Sequence, residues 1–200
     1  MISFILKADP GWVRRLNPIL GAGFWVNAVT GGSIRDVLCR QMGVTDAYLD
    51  DRVQTLFLEG KPVDDVDRTS VPDGGVLSLS AAMPGLVGST LRKGGHLAPM
   101  RKTISCDAGD DTCEQDGRIK IKLFNVIARE LGPGFLERGI IISGQPECQF
   151  FKGRTTKFWN GCGAAELNGR NIDIKQLREL SFEFEEMSLT VIEGSAEASP

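Results

Sequence analysis

The chain has 200 residues with a formal net charge of −3, and 42% of the residues are hydrophobic. This length and apolar content are enough for one large or two small buried cores. The pI near 5.3 leaves no basic surface of the kind that a phosphate backbone requires, and no segment approaches the roughly 18 apolar residues that span a bilayer. We therefore expect neither nucleic acid nor a membrane as a partner.

The N-terminal segment MISFILKADPGW carries no basic leader, and Lys7 interrupts its short apolar run. This pattern predicts a strand over residues 2–7 rather than a secretory signal, and hence a cytoplasmic protein. Further along, runs of aromatic and β-branched residues bounded by Gly and Pro predict additional strands. These predicted strands cover residues 23–29, 53–60 and 73–82.

One helix is predicted between the second and third strands. Ser33 and Asp36 form a shorter variant of the capping box, which starts the helix, and Gly43 ends it. Apolar residues then recur at helical spacing on one face. They are Ile34, Val37, Leu38 and Met42.

The resulting order of strand, strand, helix, strand, turn and strand resembles the β-grasp fold of ubiquitin and of the sulfur carriers of thiamine and molybdopterin synthesis. Three stretches carry the resemblance: GGSIRDVLCRQMGV as loop and helix, LFLEGKPVDD as strand and turn, and VPDGGVLSLSAA leading into the last strand. The last stretch is similar to the DGD turn of sulfur carriers, with Gly75 where their second acid stands. The resemblance implies a β-grasp domain over residues 1–85, with one helix on one mixed sheet.

Residues 86–117 differ in composition from the segments on either side. The Gly-rich, basic stretch LVGSTLRKGGHLAPMRKTIS is followed by the acidic stretch CDAGDDTCEQDG, and neither is periodic. We interpret them as a linker. The acidic run lacks the order of acids and glycine that forms an EF-hand loop, which favours a solvated loop over a calcium site.

Residues 118–194 predict a second, small α+β domain. Within RIKIKLFNVIARELG, Leu123, Ile127 and Leu131 recur at helical spacing, which predicts a helix in this stretch that ends at Gly132-Pro133, with a short helical turn at FLERG after it. Apolar runs predict strands over residues 140–144 and 189–194, and QFFKGRTTKFW predicts an aromatic hairpin. Residues 195–200 read as a disordered tail. The predicted fold class is thus α+β, with an N-terminal β-grasp domain and a second α+β domain.

Two distant stretches resemble each other. LFLEGKPVDDVD (56–67) and AELNGRNIDIKQL (165–177) each contain a short strand, a Gly followed by a base, an apolar residue and then Asp. One interpretation is that the second unit is a degenerate copy of the first. The helical pattern that precedes the second stretch favours the other interpretation, a chance match.

The stretch Leu91-Arg92-Lys93-Gly94-Gly95 resembles the tail by which ubiquitin-like proteins are joined to a partner. The resemblance implies cleavage after Gly95 and adenylation of its carboxylate by an activating enzyme. Two glycines suit such a tail because any Cβ would clash in a narrow channel of the partner. Here, however, the pair lies further beyond the last strand than in sulfur carriers, and more than half of the chain follows it. The other interpretation is a basic, flexible hinge.

The five cysteines are odd in number and widely spaced, which predicts reduced thiols rather than a disulfide framework. A thiol- or metal-dependent protein would use Cys106, Cys113, Cys148 and Cys162, but these lack the close pairing of structural zinc ligands. Within this set, Cys162 in NGCGAA is the best candidate for a reactive thiol on a flexible loop. We expect no cofactor and no metal.

His96 is the only histidine, and it directly follows Gly95. Catalysis by a Ser-His or Cys-His pair would have to use it, but a Gly-rich linker does not preorganise a base. No glycine-rich phosphate loop of the P-loop or dinucleotide type is present. We expect no catalytic residues.

These patterns together favour a non-enzymatic binding or adaptor protein with a protein partner, because a β-grasp sheet offers an exposed face and an edge strand. Trp25 and Phe57 are the candidate contact residues if they face outward; otherwise they belong to the core. The alternative is a sulfur-carrier or ubiquitin-like precursor that is processed after Gly95 and carries the tail Gly94-Gly95. Its partner would be an adenylating activating enzyme.

Overall fold

The computed structural model describes residues 1–97, 113–143, 149–177 and 185–194, and its fold is α+β. The strands are β1 (Ile2–Ala8), β2 (Phe24–Thr30), β3 (Thr55–Leu58), β4 (Lys61–Pro62), β5 (Val76–Ser80), β6 (Gln115–Leu123), β7 (Ile140–Ser143), β8 (Cys162–Leu167), β9 (Arg170–Ile172) and β10 (Glu186–Glu193). The helices are α1 (Asn17–Ala22), the π-helical α2 (Asp36–Gln41), α3 (Asp46–Asp51), α4 (Gly85–Leu91), α5 (Asn125–Arg138), α6 (Thr156–Trp159) and α7 (Ile174–Leu177). Short 3₁₀ turns cover Trp12–Leu16 and Gln149–Phe151. No helix in the described ranges is long and apolar enough to cross a membrane.

The chain forms two compact units. One is continuous in sequence, Trp25–Leu131, and we call it the contiguous unit; the other combines Met1–Phe24 with Gly132–Pro200, and we call it the split unit. This division differs from the predicted domains 1–85 and 118–194, because β1 belongs to the split unit and β6 to the contiguous unit. Both segments are amphipathic strands, and an alternating pattern does not say which strand will be the neighbour.

The contiguous unit contains a mixed sheet in the order β4-β3-β5-β6-β2. β5 runs antiparallel to β3 and parallel to β6, and β3 and β4 form a hairpin. The inward side chains of these strands are buried, as is the apolar face of the helix predicted after β2. Three residues of that helix, Ile34, Val37 and Leu38, have no exposed surface. The predicted cap is confirmed: Ser33 Oγ accepts a hydrogen bond from Asp36 N at 3.1 Å and donates one to Asp36 Oδ2 at 2.9 Å.

The split unit contains a mixed sheet in the order β7-β10-β1-β8-β9. β1 runs parallel to β10 and antiparallel to β8, β10 runs antiparallel to β7, and β8 and β9 form a hairpin. Each sheet therefore has a hairpin at one end and a parallel pair next to it. β5 and β6 form the parallel pair of the contiguous unit, and β1 and β10 that of the split unit.

The two hairpins are closed by the same kind of turn, and these turns lie in the two stretches that resemble each other in sequence. Glu59-Gly60 has φ values of 50° and 75°, and Asn168-Gly169 has 50° and 77°. Two successive residues with positive φ give the type I′ turn that suits the twist of a two-residue hairpin. The sequence similarity between residues 56–67 and 165–177 thus corresponds to a shared local structure.

Each turn is attached to the neighbouring central strand by the same pair of hydrogen bonds. Glu59 N donates to Val76 O at 3.0 Å, and Val76 N donates to Glu59 Oε1 at 2.6 Å. In the split unit, Asn168 N donates to Ser3 O at 2.8 Å, and Ser3 N donates to Asn168 Oδ1 at 3.0 Å. These bonds align the start of β5 with the start of β1, so Lys120 and Lys122 on β6 correspond to Ser188 and Thr190 on β10.

Two predictions for the region after residue 117 are wrong. Residues 118–123 form the last part of β6 rather than the start of a helix, since Ile119, Ile121 and Leu123 are buried at alternate positions. The helix that follows continues through Gly132-Pro133 to Arg138. Its last turns bury Phe135 and Leu136, and this packing outweighs the helix-breaking tendency of the Gly-Pro pair.

The predicted aromatic hairpin is also wrong. Its residues form the 3₁₀ turn Gln149–Phe151 and helix α6, and they contribute to the core of the split unit. Phe151 and Trp159 are buried, and their rings stack with centroids 5.9 Å apart. The aromatic residues thus serve packing in helical segments, although their composition suits a strand equally well.

Candidate binding surface

The candidate site is the outer face of the contiguous unit's sheet, opposite its buried side chains. On β2 the burial alternates, so that Phe24, Val26 and Ala28 are buried while Trp25 is half-buried on the other face. On β6, Ile119 and Ile121 point inward, and the bases that alternate with them point outward. We call the outward side chains of Trp25, Phe57, Arg118, Lys120 and Lys122 the basic sheet face.

Strand register sets the order of these side chains across the sheet. Phe57 on β3 lies opposite Ser78 on β5, which lies beside Lys122 on β6. Two residues earlier on each strand, Val76 on β5 lies beside Lys120 on β6. Across the sheet, the outward side chains are therefore an aromatic ring on β3, an uncharged residue on β5 and a base on β6.

Trp25 contributes a second aromatic ring beside the bases. The guanidinium of Arg118 lies 5.8 Å from the centroid of the Trp25 ring, and the ammonium of Lys120 lies 5.9 Å from it. Both distances are within the range of a cation–π interaction, which orients the charged groups over the indole. Trp25 and Phe57 are thus both half-buried on the outer face, and neither belongs to the fully buried core.

One end of the basic sheet face is held by a close packing of backbone and side chains. Asp73 Oδ1 accepts a hydrogen bond from Arg118 N at 2.8 Å, and a Cβ on Gly117 would come within 2.4 Å of that same oxygen. Thr30 Oγ1 donates to Gln115 O at 3.1 Å. An open cavity of about 600 Å³ adjoins this end, lined by Asn27, Val29, Gln41, Asp116 and Arg118 among others.

The three bases of this surface were not predicted from the sequence. The stretch RIKIKLF was expected to be helical, whereas in the structure Arg118, Lys120 and Lys122 share one face of a strand. The signal was present in the strict alternation of base and isoleucine, since side chains two residues apart share one face of a strand.

The Gly94-Gly95 segment is attached to the contiguous unit and is not a contact-free hinge. Lys93 N donates to Gln54 O at 2.7 Å, and Gly94 N donates to Asp64 Oδ1 at 3.0 Å. Gly95 N donates to Arg92 O at 3.1 Å, which closes a tight turn in which Gly94 has a φ of 57°. The glycine at position 94 is explained by this turn.

Lys93 anchors the same segment through its side chain. Its Nζ donates to Leu49 O at 2.8 Å, close to the end of α3. Burial of the half-buried ammonium lowers the pKa of Lys93, and the nearby carboxylate of Asp50 partly opposes that shift. The basic tail residue is thus used for packing within the unit.

Arg35 forms the densest group of ion pairs in the described structure. Its guanidinium contacts Asp67 at 2.6 Å and both Asp46 and Asp50 at 2.9 Å. These hydrogen bonds, with that to Asp67 the strongest, raise the pKa of Arg35, and Arg35 in turn lowers the pKa of Asp50. The group joins α3 and the turn after β4 to the helix that carries Arg35, and all three acids are already paired with it.

The cysteines do not form a site within the described part of the chain. Cys162 lies in β8 and is buried, and burial raises the pKa of its thiol to about 11, so it is not a reactive thiol on a flexible loop. Burial likewise raises the pKa of Cys39 to about 11. Cys113 is exposed, whereas Cys106 and Cys148 lie outside the described residues. No cluster of described His, Cys, Asp or Glu residues has the arrangement of a metal site.

His96 is exposed beside an open cavity of about 420 Å³. Met83, Gly88, Ser89 and Arg92 also line this cavity, and none of the described residues that line it carries a carboxylate or a thiol. Within the described part of the chain, no carboxylate lines that cavity to orient the imidazole.

Comparison with known proteins gave no match: no family model, no curated protein and no solved structure is similar to this chain. The function must therefore be inferred from the surface described above.

Proposed function

We propose that the chain is a non-enzymatic, cytoplasmic binding or adaptor protein, and that it binds a protein partner through the basic sheet face of the contiguous unit. The observation that carries the proposal is the position of Trp25, which lies half-buried on the outer face of the sheet between Arg118 and Lys120. Trp and Arg are enriched at the centres of protein interfaces, where they provide large contact areas and directed hydrogen bonds.

We further propose that the contiguous unit is a β-grasp-like module. The strand order β4-β3-β5-β6-β2, the parallel pair β5–β6 and the helix between β2 and β3 support this proposal. The position beside β5 is filled by β6, which lies outside residues 1–85 to which the resemblance pointed, and β1 belongs to the split unit. The module would thus be complete only when residues 115–123 are included.

The alternative, a carrier released by cleavage after Gly95, conflicts with the packing of β6. Cleavage would separate β6 from β5 and expose Ile119, Ile121 and Leu123, each of which is at most 1% exposed. Burial of an aliphatic side chain contributes about 2 kcal/mol, so losing all three would remove roughly 6 kcal/mol. That loss is comparable to the whole stability of a small domain. Intact-mass measurement on protein from its native cell tests this alternative, because a carrier would end at Gly95.

Site-specific photo-crosslinking in the native cell tests the binding proposal. A photoreactive amino acid at Asn27, an exposed position on β2 beside the basic sheet face, is expected to give a discrete protein adduct. The matched control carries the same residue at Asn171, an exposed position on β9 of the split unit. An adduct specific to position 27 supports the proposal. No adduct, or the same adducts from both positions, would overturn it.

A further inference from the structure

We propose that the partner of the basic sheet face is an extended acidic polypeptide segment, with carboxylates at alternate residues, that lies along β6. This inference rests on the proposed function and adds the chemistry of the partner. It starts from the row of three bases that β6 places on one face, namely Arg118, Lys120 and Lys122.

The spacing of the bases selects an extended ligand. Successive residues of a strand are separated by about 3.3 Å, so bases at alternate positions repeat about every 6.6 Å. Carboxylates at alternate residues of an extended peptide repeat at the same interval. A helical peptide presents neighbouring carboxylates three or four residues apart on one face and does not match this row.

The charges of the two lysines are available to such a ligand. Among the described residues, neither Lys120 nor Lys122 forms an ion pair. Lys120 instead lies over the face of Trp25, which leaves its positive charge uncompensated. Asp116 lies on the same side of β6, at the end of the row next to Arg118. Because its carboxylate would repel an acidic ligand, the ligand's carboxylates should lie beside Lys120 and Lys122.

The aromatic residues favour a polypeptide over a phosphate backbone. Trp25 and Phe57 lie on opposite sides of the row and offer apolar contacts to side chains between the carboxylates. A nucleic acid would require a longer basic surface, whereas this row has three bases in a chain whose net charge is −3. The uncharged residues of the ligand should therefore be apolar or small.

The split unit shows that this row is not required by the fold. Its corresponding strand β10 carries Ser188 and Thr190 where β6 carries Lys120 and Lys122. Both pairs are half-buried in strands that run parallel to their neighbour. Small hydroxyl residues are thus compatible with the same positions in the sheet. Formation of the sheet therefore does not explain why β6 has lysines there.

The test is fluorescence anisotropy with labelled twelve-residue peptides and the full-length protein. One peptide alternates Glu and Val, a second has the same composition with all glutamates in one block, and a third alternates Lys and Val. We expect the alternating acidic peptide to bind at least tenfold more tightly than the other two. High salt is expected to weaken this binding, because it screens the charge pairs.

The matched variant is Lys120→Ser/Lys122→Thr, which transfers the residues of β10 to β6 and so preserves strand preference. We expect at least a tenfold rise in Kd for the alternating acidic peptide and an unchanged thermal midpoint. The control Lys7→Ser removes an exposed base from central strand β1 of the split unit and should leave Kd unchanged. If Lys120→Ser/Lys122→Thr does not fold, Lys120→Gln/Lys122→Gln takes its place, because it removes both charges and keeps long side chains at these positions.

Several outcomes would overturn the inference. Equal binding of the alternating and block peptides would exclude the extended register, and equal loss of binding with Lys7→Ser would indicate nonspecific attraction. Tighter binding of a single-stranded oligothymidylate would assign the surface to nucleic acid, and concentration-dependent sedimentation of the protein alone that Lys120→Ser/Lys122→Thr abolishes would assign it to a second copy. If the crosslinked partner at position 27 persists in Lys120→Ser/Lys122→Thr, the proposed function stands and the acidic chemistry fails.

Discussion

The contiguous and split units arrange five strands in equivalent positions: β4-β3-β5-β6-β2 in the first corresponds to β9-β8-β1-β10-β7 in the second. The corresponding strands occur in a different order along the sequence, and the outer faces of the two units carry different side chains. In the contiguous unit, the parallel pair consists of β5 and β6, which follow one another in sequence. In the split unit, it consists of β1 and β10, which lie at opposite ends of the described chain. The outer positions of β6 hold lysines where those of β10 hold Ser188 and Thr190.

The comparison distinguishes residues that both units share, which maintain the sheet, from outward residues that differ between the units. The buried positions agree in character, since Leu77 and Ile121 in one unit correspond to Phe4 and Leu189 in the other, and all four are inaccessible to solvent. The turns agree in conformation and in their hydrogen bonds to the central strand. On the outer faces, Lys120 and Lys122 of β6 stand where β10 has Ser188 and Thr190, and outward residues of this kind can serve a function without altering the fold.

The largest expected effect is that of removing the parallel partner strands. A chain that ends at Gly95 lacks β6 to β10, so β5 loses one of its two neighbouring strands and β1 loses both, together with the buried side chains on them. We expect this chain to show no cooperative unfolding transition by circular dichroism. A chain that ends at Gly194 retains each described strand and is the control. A cooperatively folded 1–95 chain would contradict the strand assignment and revive the carrier alternative.

The next effect concerns the corresponding core positions. Leu77→Ala and Phe4→Ala each remove a fully buried side chain from a central strand. Each should lower the free energy of unfolding by about 3 kcal/mol, through lost burial and the cavity that remains. Urea unfolding measures both, and Ser78→Ala, on the outer face of β5, should change it by less than about 0.5 kcal/mol. A negligible effect at only one core position would show that the units are not equivalent there.

Exchange of the turn residues sharpens the comparison further. Asn tolerates the left-handed conformation that both turns require, whereas Glu adopts it at a cost of about 1 kcal/mol. Asn168→Glu should therefore destabilise the protein by about 1 kcal/mol, and Glu59→Asn should leave stability unchanged or raise it by a similar amount. The midpoints of urea unfolding give both values. A marked loss in Glu59→Asn would mean that the longer side chain is required to reach Val76 N.

The smallest expected effect is a pH dependence confined to the contiguous unit. Arg35 lowers the pKa of Asp50 in the folded state below its unfolded value near 3.9. The stabilisation is therefore present above that value and is lost as pH falls through the lowered pKa. Because these groups are partly exposed, Arg35→Gln should cost less than about 1 kcal/mol at pH 6, and the difference from wild type should shrink toward pH 3.

Hydrogen exchange resolves this effect by region. Amides around the Arg35 ion pairs should lose protection in acid before those of the split unit, because Arg35 and its three acids all lie in the contiguous unit. An equal difference between Arg35→Gln and wild type at pH 6 and pH 3 would contradict the assigned cause. Loss of protection at the same pH in both units would show that the contiguous unit is not more sensitive to acid than the split unit.

Local features were predicted well from the sequence. Strands β3, β5 and β7 fall within the segments where apolar and β-branched residues predicted them, and β1 and β2 each extend one residue beyond theirs. β10 begins three residues before its predicted segment. The Ser33 cap has the expected bonds. These features depend on residues close together in the chain, so their pattern carries the information. The pairing of β1 with β10 and of β5 with β6 depends on distant segments, and no local pattern specifies it.

The candidate surface was predicted only in part. Trp25 and Phe57 were identified because aromatic residues on a strand are visible in sequence, but their orientation required the structure. Lys120 and Lys122 were missed because the periodic Leu123, Ile127 and Leu131 extended the predicted helix backward over them. The strand ends and the helix begins within two residues, Leu123 and Asn125, where both periodicities fit the same letters.

The parallel pairing of β1 with β10 has a consequence for the order in which the protein folds during synthesis. The contiguous unit has its whole sheet once β6 has left the ribosome, since all its strands lie between residues 24 and 123. By contrast, β1 emerges before the other described strands, but its parallel neighbour emerges only once residues 186–193 have been made. Until then one edge of β1 has no strand to pair with, and closing so long a loop is slow. We therefore expect the contiguous unit to fold first, with its basic sheet face formed while the split unit still awaits its last strand.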